Sequence, residues 1–213
     1  MTTKLSLYNN ALTLHLGERK LSALTENRKP RRVLDQIWDS GFVHAVLEDG
    51  QWNFGTRTIQ SDYNPDITPT FGLQYAHDKP TDWCRTIGIS LDAFFNTSLL
   101  RYSDESTYIF TESQTIYLRY ISDDASYGGD LTNWTEAMVS YAELKLASLA
   151  AKAITQSDET AERLTQKAEK AKRAARSANS MNNPTKFMPL GTWARSRGRG
   201  RGTRFSDGTI GSA

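Results

Sequence analysis

Between residues 5 and 16 the apolar positions Leu5, Tyr8, Ala11, Leu12 and Leu16 recur at spacings of three and four. That is the period of an amphipathic helix, and Gly17 supplies its stop. A second helix start is expected at Asn27-Arg28-Lys29-Pro30, with Asn27 as cap and Pro30 in the first turn, where a missing N–H does no harm. Leu34, Ile37, Trp38, Gly41, Phe42 and Ala45 continue a 3.6-residue period as far as Gly50, predicting one helix that packs on the first.

From Trp52 the texture changes. Thr56, Thr58, Ile59 and Tyr63 are β-formers, while Pro65, Pro69 and Pro80 cut the segment into short pieces. Ile87 to Leu91 is a further short strand candidate. Thr107 to Thr111 and Thr115 to Ile121 flank Glu112-Ser113-Gln114 and read as a hairpin with a three-residue loop. Ile116, Leu118 and Tyr120 alternate with Tyr117 and Arg119, so one face of that strand is expected inside.

Helical patterning returns at Asn133-Trp134-Thr135-Glu136, which has capping-box spacing and opens a helix to about Lys152, with Trp134, Met138, Tyr141, Lys145 and Leu149 along one stripe. Ser157-Asp158-Glu159 starts another, in which Ala161, Leu164, Ala168, Ala171, Ala175 and Ala178 form a seam of small residues that requires a neighbour. Prolines at 184 and 189 end the helical pattern and favour an extended path. The fold class is therefore α+β: a bundle of about four helices with a small antiparallel β-sheet region inserted between the second and third, and an extended C-terminal arm. A main domain is expected over 1–180, with helices in 4–50 and 133–179 and the β-rich insertion at 52–121, followed by the arm at 181–213.

Charge sharpens this division. Residues 1–153 hold 14 Lys+Arg and 19 Asp+Glu, whereas residues 154–213 hold 12 and 5, so a mildly acidic body ends in a basic helix and tail. Between Arg163 and Arg204 twelve cations face one anion, Glu169, which points to a polyanionic or acidic partner. Arg195, Arg197, Arg199 and Arg201 alternate with serine and glycine, a pattern whose guanidinium groups suit phosphate or carboxylate alike.

Candidate chemistry is sparse. There is no phosphate-binding loop, nucleophile elbow or paired-histidine motif, and no catalytic residue, cofactor or metal site is expected. Cys84 has no partner for an internal disulfide, and His15, His44 and His77 lie too far apart in sequence to suggest a ligand set. His44 and Glu48 stand one turn apart and read as a surface contact. Asp123, Asp124, Asp130, Glu136 and Glu143 read as solvated. No apolar run reaches the ~20 residues of a membrane span, and Leu5 to Gly17 is too polar for a signal peptide, so the chain is expected to remain in the compartment where it is made.

Several segments resemble one family. Gly17-Glu18-Arg19-Lys20-Leu21 with Leu24 to Arg32, Gln51-Trp52-Asn53-Phe54, and Asp78-Lys79-Pro80-Thr81-Asp82-Trp83 are followed by Tyr127-Gly128-Gly129-Asp130-Leu131 ahead of Trp134. Arg176-Ser177-Ala178, Met181-Asn182-Asn183-Pro184 and Gly191-Thr192-Trp193 complete the series. In that order they look like the head-to-tail adaptor proteins of podovirus-type tailed bacteriophages, the gatekeeper-like tail tubular protein A group.

The resemblance implies a structural, non-enzymatic virion protein, made in the host bacterial cytoplasm and built into the head–tail interface. It would form a homo-oligomeric, dodecameric ring under the portal protein, extend the DNA channel used in ejection, and receive the tail nozzle protein. On this view the arm docks on the portal through Phe187, Trp193, Arg195, Arg197, Arg199 and Arg201, and loops carrying Asp66 and Asp104 face the tail. The seam of Ala161, Leu164, Ala168, Ala171, Ala175 and Ala178 adds to the subunit interface, and contact with genomic DNA is non-specific. Two other classes stand beside it. One is a nucleic-acid-binding protein that uses the basic helix and Arg/Gly-rich tail. The other is a wall-degrading hydrolase, which would need a pocket of perturbed carboxylates.

Overall fold

A right-handed helix cannot continue through a residue held at positive φ, and two such positions shape the N-terminal part. The structure, a computed structural model, describes residues 2–69 and 72–182. Helix α1 (Lys4–Asn10) is capped by Thr3, whose hydroxyl accepts from the Ser6 amide, and runs on as a π-helical turn over Ala11–Leu16 that ends at Gly17, φ 69°. The helix expected from Asn27 to Gly50 is two helices, α2 (Lys29–Asp39) and α3 (Phe42–Glu48), because Gly41 adopts φ 93° between them. Arg28, rather than Asn27, occupies the cap of α2 and makes no side-chain cap bond; Pro30 does lie in the first turn.

Six strands follow: β1 (Thr56–Asp62), β2 (Tyr75–Asp78), β3 (Trp83–Ser90), β4 (Ser103–Glu105), β5 (Tyr108–Thr111) and β6 (Thr115–Ser122). They form two three-stranded antiparallel sheets, ordered β1-β6-β3 and β2-β5-β4. The hairpin expected across Glu112-Ser113-Gln114 is thus not formed, since β5 and β6 pair with different partners. The chain crosses between sheets there, and the buried His77 ring anchors the crossing with Nε2 at 3.0 Å from both Thr111 Oγ1 and the Ser113 carbonyl.

The alternation expected in β6 holds. Ile116, Leu118 and Tyr120 turn into a small sheet core with Ile89 and Ile109, while Ile121 points the other way into a larger core built mainly from helices. One strand therefore contributes to both cores.

Helix α4 (Glu136–Thr155) is capped by Thr135, not by the box starting at Asn133. The local reason is that Asp130, three residues before Asn133, takes a capping role of its own, accepting from the Thr132 amide to start a 3₁₀ turn over Leu131–Asn133. Along α4, Met138 and Tyr141 are buried as the stripe requires, whereas Leu149 is exposed. Helix α5 (Asp158–Met181) starts at Ser157, whose hydroxyl accepts from Thr160. Its small-residue seam lies in the intramolecular core. Leu164, Ala168 and Ala175 are buried, with Ala161 and Ala171 partly so, while Ala147, Ala150 and Ala151 of α4 bring small side chains to the same core. The contact assigned to a second subunit is in this way made within the chain. Residues 1–182 form one compact unit; the arm residues Phe187, Trp193, Arg195, Arg197, Arg199 and Arg201 lie outside the described residues.

Candidate functional site

Three segments distant in sequence meet where the helices join the sheets. Trp52 is fully buried, and its indole N–H donates to the carbonyl of Leu47 at 3.1 Å, which ties the segment after α3 back onto that helix. Its ring stacks near Phe54 with centroids 6.2 Å apart, and Phe54 in turn meets Trp134 at 6.3 Å. The Trp134 indole donates to the Gly128 carbonyl at 2.8 Å. Gly128 can be nothing larger, since a Cβ would stand 2.5 Å from the Ser122 carbonyl oxygen. From α5, Arg176 Nε donates to the Asp49 carbonyl at 2.7 Å.

Asp49, at the end of α3, links α3, α4 and α5. Its carboxylate accepts from Tyr141 and Lys145 at 2.5 Å each and has Lys172 at 3.7 Å. Burial alone would raise its pKa, but the bonds from Lys145 and Tyr141 win and hold it below the ordinary aspartate value. A second carboxylate hub sits on the β side. Asp82 accepts from the Ser122 hydroxyl, from Arg57 at 2.8 Å and from Tyr120 at 3.1 Å. Those bonds likewise overcome the effect of burial and lower its pKa.

Between these hubs the fold assembles a donor set that sequence spacing does not suggest. His44 on α3, Cys84 on β3 and Asp123 just beyond β6 place one nitrogen, one sulfur and one oxygen within 4.8 Å of one another. His44 Nδ1 lies 3.2 Å from Asp123 Oδ2 and 3.3 Å from Cys84 Sγ. Cys84 stands at a register irregularity, since Trp83 pairs with Ser122 and Arg85 with the adjacent Ile121, and this leaves the cysteine as an extra residue directed at α3. Gly129 holds the segment after Asp123 in a close turn, where a Cβ would lie 2.3 Å from the Asp123 carbonyl oxygen. The histidines are expected to stand alone, but His44 is brought beside two other residues that carry donor atoms. Its hydrogen-bond-range partners are Asp123 and Cys84, not Glu48.

The same geometry argues against a cysteine nucleophile. A relay needs the thiol and the carboxylate on opposite nitrogens of the imidazole; here both approach Nδ1. Burial, reinforced by Asp123, Asp82 and Glu48, pushes the Cys84 thiol up to about 12, so it is protonated at neutral pH. Glu143 also departs from the reading of a solvated acid. It is buried, accepts from Asn10 at 2.7 Å, and its carboxyl is raised above the ordinary value by that burial.

Two surfaces stand out. On α5, Arg163, Lys167, Lys170 and Arg173 are exposed on one stripe and join no ion pair among the described residues. At one end of the β-rich part, the stretch from Leu91 to Tyr102 exposes Phe94 (85%) and Leu100 (90%). That loop is well held: Asp92 accepts from the amides of Phe94, Asn96 and Thr97 at 2.7–3.1 Å, and Arg119 covers the Phe95 ring at 4.0 Å.

Of the two acids expected in recognition loops, Asp66 is exposed in the turn after β1, its amide bonded to Asn64 Oδ1 at 2.9 Å. Asp104 lies instead within strand β4, where it forms an ion pair with the nearly buried Lys79 ammonium. Among the described residues no helix is long and apolar enough to cross a membrane. No family model matches the chain, and no curated protein matches it in sequence.

Proposed function

We propose that this chain is a structural adaptor of the phage head-to-tail type, a ring subunit that seats on a portal and presents its β-rich part to a tail nozzle. The observation that carries the reading is the convergence of the resemblance-bearing segments. Gln51 to Phe54, Gly128, Trp134 and Arg176 are far apart in sequence, yet all contribute to one junction between helices and sheets. A connector under load needs such a junction, because force applied to one part must reach the other without opening the core between them.

On this reading the β-rich part meets the nozzle through the loop bearing Phe94 and Leu100 together with the turn bearing Asp66. Large exposed apolar side chains on a rigid loop have little ordering entropy left to lose on binding. Lateral subunit contacts fall on exposed helix faces, since the alanine seam is filled within the chain. The arm at 181–213 docks on the portal.

The decisive experiment mixes the full chain with the cognate portal ring and measures mass by light scattering. The chain alone is expected to be monomeric and to join the portal in a fixed ratio, whereas no association at micromolar concentration refutes the adaptor role. Truncation after Ser180 is expected to abolish association, and truncation after Ala194 to leave a weaker, salt-sensitive one.

The exposed cations of α5 favour a second reading, a nucleic-acid-binding protein. It predicts tight binding of duplex DNA by the monomer, with affinity falling steeply as salt rises and no requirement for a portal.

A further inference from the structure

We infer that His44, Cys84 and Asp123 form a binding site for a borderline-soft divalent cation of the zinc class, one that clips α3 to the edge of the sheet. The donor set of imidazole nitrogen, sulfur and carboxylate oxygen is the one such ions select over magnesium or calcium, which require oxygen alone.

Spacing agrees with the chemistry. Tetrahedral zinc with ordinary bond lengths separates its nitrogen and sulfur ligands by about 3.6 Å and its nitrogen and oxygen ligands by about 3.3 Å. Here the two separations made by the imidazole nitrogen are 3.3 and 3.2 Å, each within a few tenths of an ångström of those values, and all three donor atoms lie within 4.8 Å of one another.

Without a cation the imidazole can serve only one of its two neighbours at Nδ1. A single Nδ1 proton cannot point at both Oδ2 and Sγ, and if Nδ1 is bare its lone pair faces a carboxylate. An ion at the centre meets all three lone pairs at once. Binding replaces the thiol proton: the ion takes up the sulfur lone pair, the S–H bond breaks, and the proton leaves to solvent with no change of oxidation state. Cys84 is 1% exposed and supplies the inner ligand, whereas the side chains of His44 and Asp123 are 43% and 34% exposed, leaving the outer side of the ion to water. The donors come from α3, β3 and the segment after β6, the last held by the sequence-enforced turn at Gly128 and Gly129; β3 and β6 are already paired in one sheet, so the link the site adds is that of α3 to the sheet. It does not depend on the adaptor reading.

Cobalt(II) tests the assignment, because a cobalt–thiolate bond has its own absorption and Cys84 is the sole cysteine. The full-length chain, freed of metal and carrying no polyhistidine tag, is expected to develop a near-ultraviolet charge-transfer band and visible d–d bands. Saturation is expected at one ion per chain, with reversal by zinc. Cys84→Ser should remove the charge-transfer band, and His44→Gln should weaken binding at least tenfold. Zinc should raise the melting temperature of the native chain and leave that of His44→Gln unchanged, a comparison that remains available if Cys84→Ser fails to fold. Absence of the band at millimolar cobalt, or equal zinc stabilisation of the native chain and His44→Gln, would overturn the proposal.

Discussion

Asn53 donates two hydrogen bonds to Asn179 across 126 residues of sequence: its backbone N–H donates to Asn179 Oδ1 at 3.0 Å, and its Nδ2 donates to the Asn179 carbonyl at 3.2 Å. Asn179 Nδ2 adds a third bond, to the Gln51 carbonyl at 2.6 Å. A nearly buried side-chain amide thus satisfies the backbone on either side of Trp52, at the point where the helical part gives way to the first strand. Because the Asn179 side chain is itself nearly buried and its bonds are part-buried, removing the amide should cost more than an exposed bond would.

Asn179→Ala is accordingly expected to destabilise the chain by about 1–3 kcal/mol, the cost of losing two part-buried hydrogen bonds made by a nearly buried amide. Urea denaturation measures it. A double-mutant cycle with Asn53→Ala should give a coupling of about 1 kcal/mol; strict additivity would show that the pair does not act as a unit.

Acid should loosen the β side through Asp82. A carboxylate whose pKa is lower in the fold contributes stability that is fully present above its unfolded value, near pH 4, and is lost as pH falls through the folded value. Asp82→Asn keeps the shape but cannot hold the Arg57 guanidinium as an ion pair. It is expected to lower stability at pH 7 by about 1–3 kcal/mol and to flatten the decline of stability below pH 4. Equilibrium unfolding across pH 2–7 decides the matter, and an Asn variant with the native acid slope would remove Asp82 as its source.

Glu143 should behave with the opposite sign. Its carboxyl is raised in the fold by burial, so its contribution to stability is greatest when protonated and is lost as pH rises through the folded value. Glu143→Gln retains an oxygen to accept from Asn10 and removes the buried charge. It should raise stability at pH 7 by about 1 kcal/mol, with the gain vanishing below pH 4, where the native side chain is itself neutral. Paired melting curves at pH 7 and pH 3.5 are sufficient to check both halves.

Local rules made much of this fold legible. The stop at Gly17, the start at Ser157 and the inward face of β6 follow from one-residue chemistry or period-two patterning. What failed depended on partners remote in sequence. Thr107 to Ile121 has the texture of a hairpin, but β6 pairs with β1 and β3 and β5 with β2 and β4, and no local signal distinguishes those options. Gly41 fits a helical stripe by position, and only its positive φ reveals the break. The His44, Cys84 and Asp123 cluster was hidden for the same reason: each is an isolated residue of its type until the bulge at Cys84 and the turn at Gly129 bring them together. A sequence clue did exist in Gly128-Gly129, a pair beside an acidic run that demands close backbone approach, though it does not name what is approached.

The exposed cations of α5 yield the last prediction. Arg163, Lys167, Lys170 and Arg173 succeed one another at intervals of four, three and three, which keeps them on one side of the helix over about 15 Å, the length of several phosphate spacings. The opposite side carries Leu164, Ala168 and Ala175 into the core, so replacing the four cations by glutamine should leave melting temperature and helix content essentially unchanged. What should change is contact with a polyanion. Each phosphate neutralised contributes about 0.9 to the slope of log affinity against log salt, so loss of four contacts would reduce that slope by up to about 3.6 for duplex DNA. Fluorescence anisotropy over a series of salt concentrations measures it directly. Carrying the same variant into the proposed portal mixture then separates the roles of the helix: undiminished association together with a reduced DNA slope assigns the stripe to nucleic acid, whereas lost association assigns it to an acidic protein face.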